Sequence, residues 1–104
     1  MAFYPLEKLF NLRDGYKRAF VVAGKNLLLI QLDGQPVIIE NSCPHMGISL
    51  TNAVLLPDNG IRCNAHGIEF DLQSGRAIGP LANTLECLKK YSVVYEGNML
   101  GVDI

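Results

Sequence analysis

The sequence predicts an all-β domain, a sandwich or small barrel. Three features point that way. Apolar runs such as "FVVAG" and "LLLI" have the length of core strands. Turn-forming Gly, Asn and Asp recur about every eight to twelve residues. Only one brief stretch, "PLEKLFNL", has helical spacing.

Taken in order, Lys17 to Val22 reads as a strand and "AGKN" as the turn after it. Leu27 to Leu32 is a second strand, and Asp33-Gly34-Gln35 gives a tight hairpin signal. Pro36 to Asn41 is a third, with Pro36 at its first position, where a missing N–H matters least. Ile61 to Cys63 and Gly67 to Asp71 are short strands, and "QSGR" is the hairpin turn after the second of them. Asp58 and Asn59 make the turn before Ile61. Tyr91 to Tyr95 and Met99 to Asp103 form a last hairpin across "EGN", and the alternation of Tyr91, Val93 and Tyr95 is that of sheet packing.

At 104 residues the chain suits a single domain. Hydrophobic residues make up 49% and charged residues 18%, a globular composition. The net charge is −1 with scattered basic residues, so nucleic acid is not an expected partner. Glu7 and Lys8 interrupt the N-terminal apolar residues, unlike a signal peptide. No apolar stretch approaches the roughly 20 residues that span a bilayer. The expected location is the cytoplasm, without a membrane partner. There thiols stay reduced, and clustered Cys and His read as metal ligands or catalytic groups.

The chemistry gathers in two short knots. Cys43-Pro44-His45 and Cys63-Asn64-Ala65-His66 hold both histidines and two of the three cysteines, with 17 residues between His45 and Cys63. Both fall on loops between strands, and residues 40 to 82 look like an insertion carried by the strands on either side. A tetrahedral zinc site could use two thiolates and two imidazoles, but common zinc modules pair like with like in each knot. Cys–His nucleophilic catalysis needs one knot and leaves the other unexplained. A [2Fe–2S] cluster with two histidines on one iron needs one Cys and one His from each loop, which is the arrangement here.

On these residues the chain resembles the Rieske family of iron–sulfur proteins, in particular the small soluble Rieske ferredoxins. The first family motif, C-x-H-x-G, stands as Cys43-Pro44-His45-Met46-Gly47, with Leu50 following. The second, C-x2-H-G, stands as Cys63-Asn64-Ala65-His66-Gly67, followed by Phe70-Asp71 and Ser74-Gly75. Asn64 and Ala65 depart from the proline and bulky residue usual there, which bears on loop stiffness and shielding.

The resemblance implies a Rieske-type antiparallel β-sandwich or small barrel over residues 1–104. A base subdomain of 1–39 and 83–104 would carry a cluster-binding subdomain of 40–82. It implies one Rieske [2Fe–2S] cluster, with Cys43 and Cys63 on the buried iron and His45 and His66 on the outer iron. The implied function is one-electron transfer, not catalysis, from a flavin-dependent reductase to a terminal oxygenase. Two alternatives stand beside it: a small Rieske-type subunit of a larger oxidoreductase such as nitrite reductase, and a structural zinc module.

The same resemblance bears on further residues. Gly47 and Gly67 would supply tight turns and backbone N–H groups close to the cluster sulfides. Gly79-Pro80 resembles the proline loop that covers the cluster, and Met46 is a candidate contact for a partner. Cys87, without a partner knot, reads as a small buried hydrophobe. High-potential relatives place a Ser after the second motif's Gly and a Tyr two residues later, both donating to sulfur. They also carry a loop-tying disulfide. Here Ile68 and Phe70 take the donor positions, and Ile48 and Ala65 those of the disulfide, which implies a low-potential centre.

Overall fold

The computed structural model describes residues 2–43, 49–63, 67–79 and 87–104. Among the described residues, ten strands form two antiparallel sheets. The larger has six strands in the order β1 (Phe3–Lys8), β10 (Met99–Asp103), β9 (Lys90–Glu96), β4 (Gln35–Glu40), β3 (Lys25–Leu32) and β2 (Tyr16–Val22). The smaller has β5 (Val54–Leu56), β6 (Gly60–Arg62), β7 (Glu69–Asp71) and β8 (Ala77–Ile78). All four small strands fall between β4 and β9 in the chain.

Tight turns set the registers. Asp33 and Gly34, at φ +52° and +73°, form the two-residue loop closed by Leu32 opposite Gln35. Two successive positive φ values match the twist of a hairpin, which explains the Asp-Gly pair. Pro36 stands second in β4 rather than first, opposite Gln31. Ladder hydrogen bonds alternate in antiparallel pairs, so Pro36 turns its nitrogen away from β3. On that side β9 pairs only with Ile38 and Ile39, so no ladder bond is lost.

The helical spacing of "PLEKLFNL" is not realised as a helix. Pro5 to Lys8 continue β1, which pairs along β10 from Phe3–Asp103 to Lys8–Met99. Only Leu9–Asn11 make a single 3-10 turn. A helix this short is marginal in water, whereas the edge of β10 satisfies the backbone and lets Leu6 and Leu9 pack on the core. Strands β1, β5 and β8 were not expected from the sequence; the last two are only three and two residues long.

The core has two parts separated by β3 and β4. Leu27 and Leu29 face one cluster, with Ile38, Leu100 and Val102. Leu28 and Ile30 face the other, with Ile39, Leu50, Ile61, Phe70 and Leu72. Successive residues of a strand point to opposite faces, so the unbroken run Leu27 to Ile30 means that β3 is covered on both sides. One side is the interior of the large sheet. The other is the floor on which the small sheet rests.

Candidate metal centre

Cys43 follows the end of β4 and Cys63 follows the end of β6. Both are only 1% exposed, and both belong to the cluster built on Leu28, Ile30 and Ile39. Strand β4 therefore delivers the first cysteine and β6 the second into one apolar compartment. Its walls include Leu50, Ala53, Ile61, Ile68, Phe70 and Ala77. No polar or charged side chain is buried among the described residues.

Two buried sulfurs in one compartment are suited to bind iron. The apolar wall excludes water from them. His45 and His66 lie outside the described residues, as do Met46, Gly47, Ile48, Asn64, Ala65 and Pro80.

The second loop is closed in two layers. The Cys63 N–H donates to the Ile68 carbonyl at 2.8 Å, and the Gly67 N–H donates to the Cys63 carbonyl at 2.8 Å. Gly67 has φ +68°, so the tight turn expected of it is present. Its own N–H is engaged by the Cys63 carbonyl. One step further out, Arg62 and Glu69 are directly opposite across β6 and β7. The Arg62 guanidinium donates from Nε at 3.2 Å and from Nη2 at 2.9 Å to the same Glu69 oxygen.

The first loop is closed differently. Asn41 Oδ1 accepts the Leu50 N–H at 2.8 Å and the Ser49 hydroxyl at 3.3 Å, while its Nδ2 donates to the Thr51 hydroxyl at 2.8 Å. Neither Asn41 nor the Arg62–Glu69 pair was singled out from the sequence. Opposite charges on either side of the second knot could have suggested the ion pair; no sequence signal marks the Asn41 contacts.

Two sequence expectations change. Cys87 is exposed rather than buried. The inward place is taken by its neighbour Leu88, 4% exposed, whose N–H donates to the Gly75 carbonyl at 2.6 Å. Tyr91 and Val93 pack against the core as expected, but Tyr95, near the end of β9, is 54% exposed. Ile68 and Phe70 are both buried, at 9% and 0% exposure, and neither side chain carries a donor. Asp58 and Asn59 do make the turn before Ile61, both with positive φ.

An all-β fold that buries Cys43 and Cys63 in one compartment suits an iron–sulfur carrier, and comparison with known proteins gives the class. The Rieske [2Fe–2S] domain model matches residues 2–92. The ferredoxin component of the alkene monooxygenase system of Xanthobacter autotrophicus is 32% identical over 84% of this chain and 69% of its own. The ferredoxin component of the naphthalene 1,2-dioxygenase system of Pseudomonas aeruginosa is 28% identical over 92% of this chain and 89% of its own. The ferredoxin of carbazole 1,9a-dioxygenase from Nocardioides aromaticivorans shares the fold, with a TM-score of 0.84 at 23% identity over 98% of this chain and 97% of that one.

The chain belongs to the Rieske [2Fe–2S] family. It is an electron carrier with a single Rieske-type cluster, and the zinc alternative falls away.

Proposed function

We propose that this chain is a low-potential one-electron carrier that takes electrons from a flavin-dependent reductase and passes them to a terminal oxygenase. The observation that carries the reading is the burial of Cys43 and Cys63 in one apolar compartment, each in the segment that follows a strand. Both sequence relatives are ferredoxin components of oxygenase systems, which supports the oxygenase as acceptor.

Cys43, His45, Cys63 and His66 are the proposed ligands. The division of labour is a base of 1–39 and 83–104 and a cluster-binding part of 40–82. When bound, a Rieske cluster accepts and returns one electron. The protein's part is to hold the two cysteines out of water and to set the potential by what it aims at the sulfurs. Ile68 and Phe70 line the compartment without a hydroxyl, which keeps that potential low. Such a carrier suits a nicotinamide-driven reductase and a cytoplasmic setting. No helix among the described residues is long and apolar enough to cross a membrane.

The test is iron and acid-labile sulfide per chain, with the visible spectrum. About two of each are expected for one such cluster. Cys43→Ser and Cys63→Ser should lose both, and Cys87→Ser should keep them. Bleaching by Cys87→Ser alone would overturn the ligand assignment.

A further inference from the structure

Asn41 lies two residues before Cys43, and its side chain reaches across to the far end of the same loop. Three side chains, Asn41, Ser49 and Thr51, form a closed ring. Asn41 Nδ2 donates to the Thr51 hydroxyl at 2.8 Å, the Ser49 hydroxyl reaches Asn41 Oδ1 at 3.3 Å, and the two hydroxyls are 2.9 Å apart. The Leu50 N–H, inside the ring, donates to Asn41 Oδ1 at 2.8 Å, and the Thr51 N–H donates to the Ser49 hydroxyl at 3.2 Å.

The ring is anchored on both sides. The Asn41 N–H donates to the Asn26 carbonyl at 2.9 Å, at the start of β3. Leu50 is fully buried, in the same cluster as Cys43 and Cys63. Asn41 thus holds a backbone amide whose side chain forms a wall of the cysteine compartment. An alanine here would leave the Leu50 N–H without its acceptor, and a part-buried donor without a partner is costly. The second loop has backbone bonds from Cys63 and Gly67 and an ion pair beyond them. The described ends of the first loop, 41 and 49–51, are joined by this one amide group.

We infer that Asn41 is a positioning residue for the iron–sulfur site: through Leu50 it fixes the loop that carries Cys43 and so controls how tightly iron is retained. The inference rests on the ligand assignment above. Asn41 is not among the proposed ligands; it acts through Leu50.

The experiment is release of iron from the dithionite-reduced holoprotein to a ferrous chelator, followed by visible circular dichroism, beside hydrogen exchange at the Leu50 amide. Asn41→Ala should release iron about tenfold faster, the order expected when a part-buried donor, here the Leu50 N–H, is left without its acceptor. It should also alter the visible circular dichroism and speed Leu50 exchange. Asn41→Asp keeps the acceptor and should restore both rates to within about twofold of wild type. Thr51→Val, which removes the hydroxyl that partners both Asn41 Nδ2 and Ser49 but leaves Asn41 Oδ1 on the Leu50 N–H, should give an intermediate rate and serves if Asn41→Ala does not fold. Wild-type rates of iron release and Leu50 exchange in Asn41→Ala, no rescue by Asn41→Asp, or a wild-type rate in Thr51→Val would each overturn the inference. A wild-type protein lacking the Rieske spectrum would instead count against the ligand assignment, and Leu50 exchange would still report on Asn41.

Discussion

The Lys17 ammonium, on β2 of the large sheet, donates to the main-chain carbonyl of Ala53, one residue before β5 of the small sheet. Ala53 belongs to the same buried cluster as the two cysteines. Burial lowers the lysine's pKa from its ordinary 10.5, so the charge is held there at a cost that the carbonyl offsets.

Lys17→Met keeps the apolar stem and removes the donor. It should lower the unfolding free energy by about 1 kcal/mol, the net worth of such a bond. Urea unfolding of wild type and variant under the same conditions checks this. A more stable variant would mean that burying the charge outweighs the bond.

A second bond sets a pH dependence beside the other core cluster. The Tyr16 hydroxyl donates to Glu7 Oε2 at 2.8 Å. Burial, then the hydrogen bond and negative charge of Glu7, push the Tyr16 pKa from 10.0 up to about 12. The phenol stays protonated in the native state while the unfolded chain ionises. Its contribution is therefore fully present below pH 10 and lost as pH rises from about 10 towards 12. Stability measured from pH 8 to 11 should fall more steeply in wild type than in Tyr16→Phe. Parallel curves would remove Tyr16 as the cause.

The potential is the third expectation. Rieske centres span roughly −150 to +300 mV, and this one should sit near the lower end because Ile68 and Phe70 offer no donor to sulfur. A hydrogen bond of about 1 kcal/mol corresponds to roughly 40 mV for one electron. Ile68→Ser should raise the midpoint by that order. Phe70→Tyr should also raise it if the hydroxyl reaches sulfur, but Phe70 is fully buried, so the added oxygen must find a partner or destabilise the core. Protein-film voltammetry reads both. A wild-type midpoint above zero near neutral pH would rule out the low-potential assignment.

Gly75 tests how the small sheet is fastened to the entry of β9. It has φ +78°, and a Cβ there would come within 2.8 Å of the Leu88 carbonyl oxygen. Its carbonyl accepts the Leu88 N–H, so the two backbones cannot separate freely. Gly75→Ala should cost more than about 1 kcal/mol, combining an unfavourable backbone region with the clash. Thermal unfolding measures it; an unchanged midpoint would mean that the turn reshapes.

The amino-acid sequence by itself determined the chemistry and most of the strands. The Rieske-type cluster was legible because a mixed Cys/His pair in each loop matches few metal centres, and Cys43, His45, Cys63 and His66 are the ligands that pattern proposes. The Asp33-Gly34 turn was legible because its backbone angles demand those residue types. Strands β2, β3, β4, β9 and β10 were legible from apolar runs between such turns.

The tertiary structure alone decided which face each of those residues uses. Leu27 to Ile30 reads as one apolar run, and only the stacking of the small sheet on β3 splits it into two cores. Cys87 and Leu88 are both apolar enough to be buried; the Leu88 bond to Gly75 decided between them. "PLEKLFNL" has helical spacing, but β10 presented an open edge, and a paired edge satisfies more backbone than one turn of helix. Asn41 holds Leu50 because the loop returns to its own start. Contacts between residues nine apart depend on the whole path of the chain, and local spacing does not encode that path.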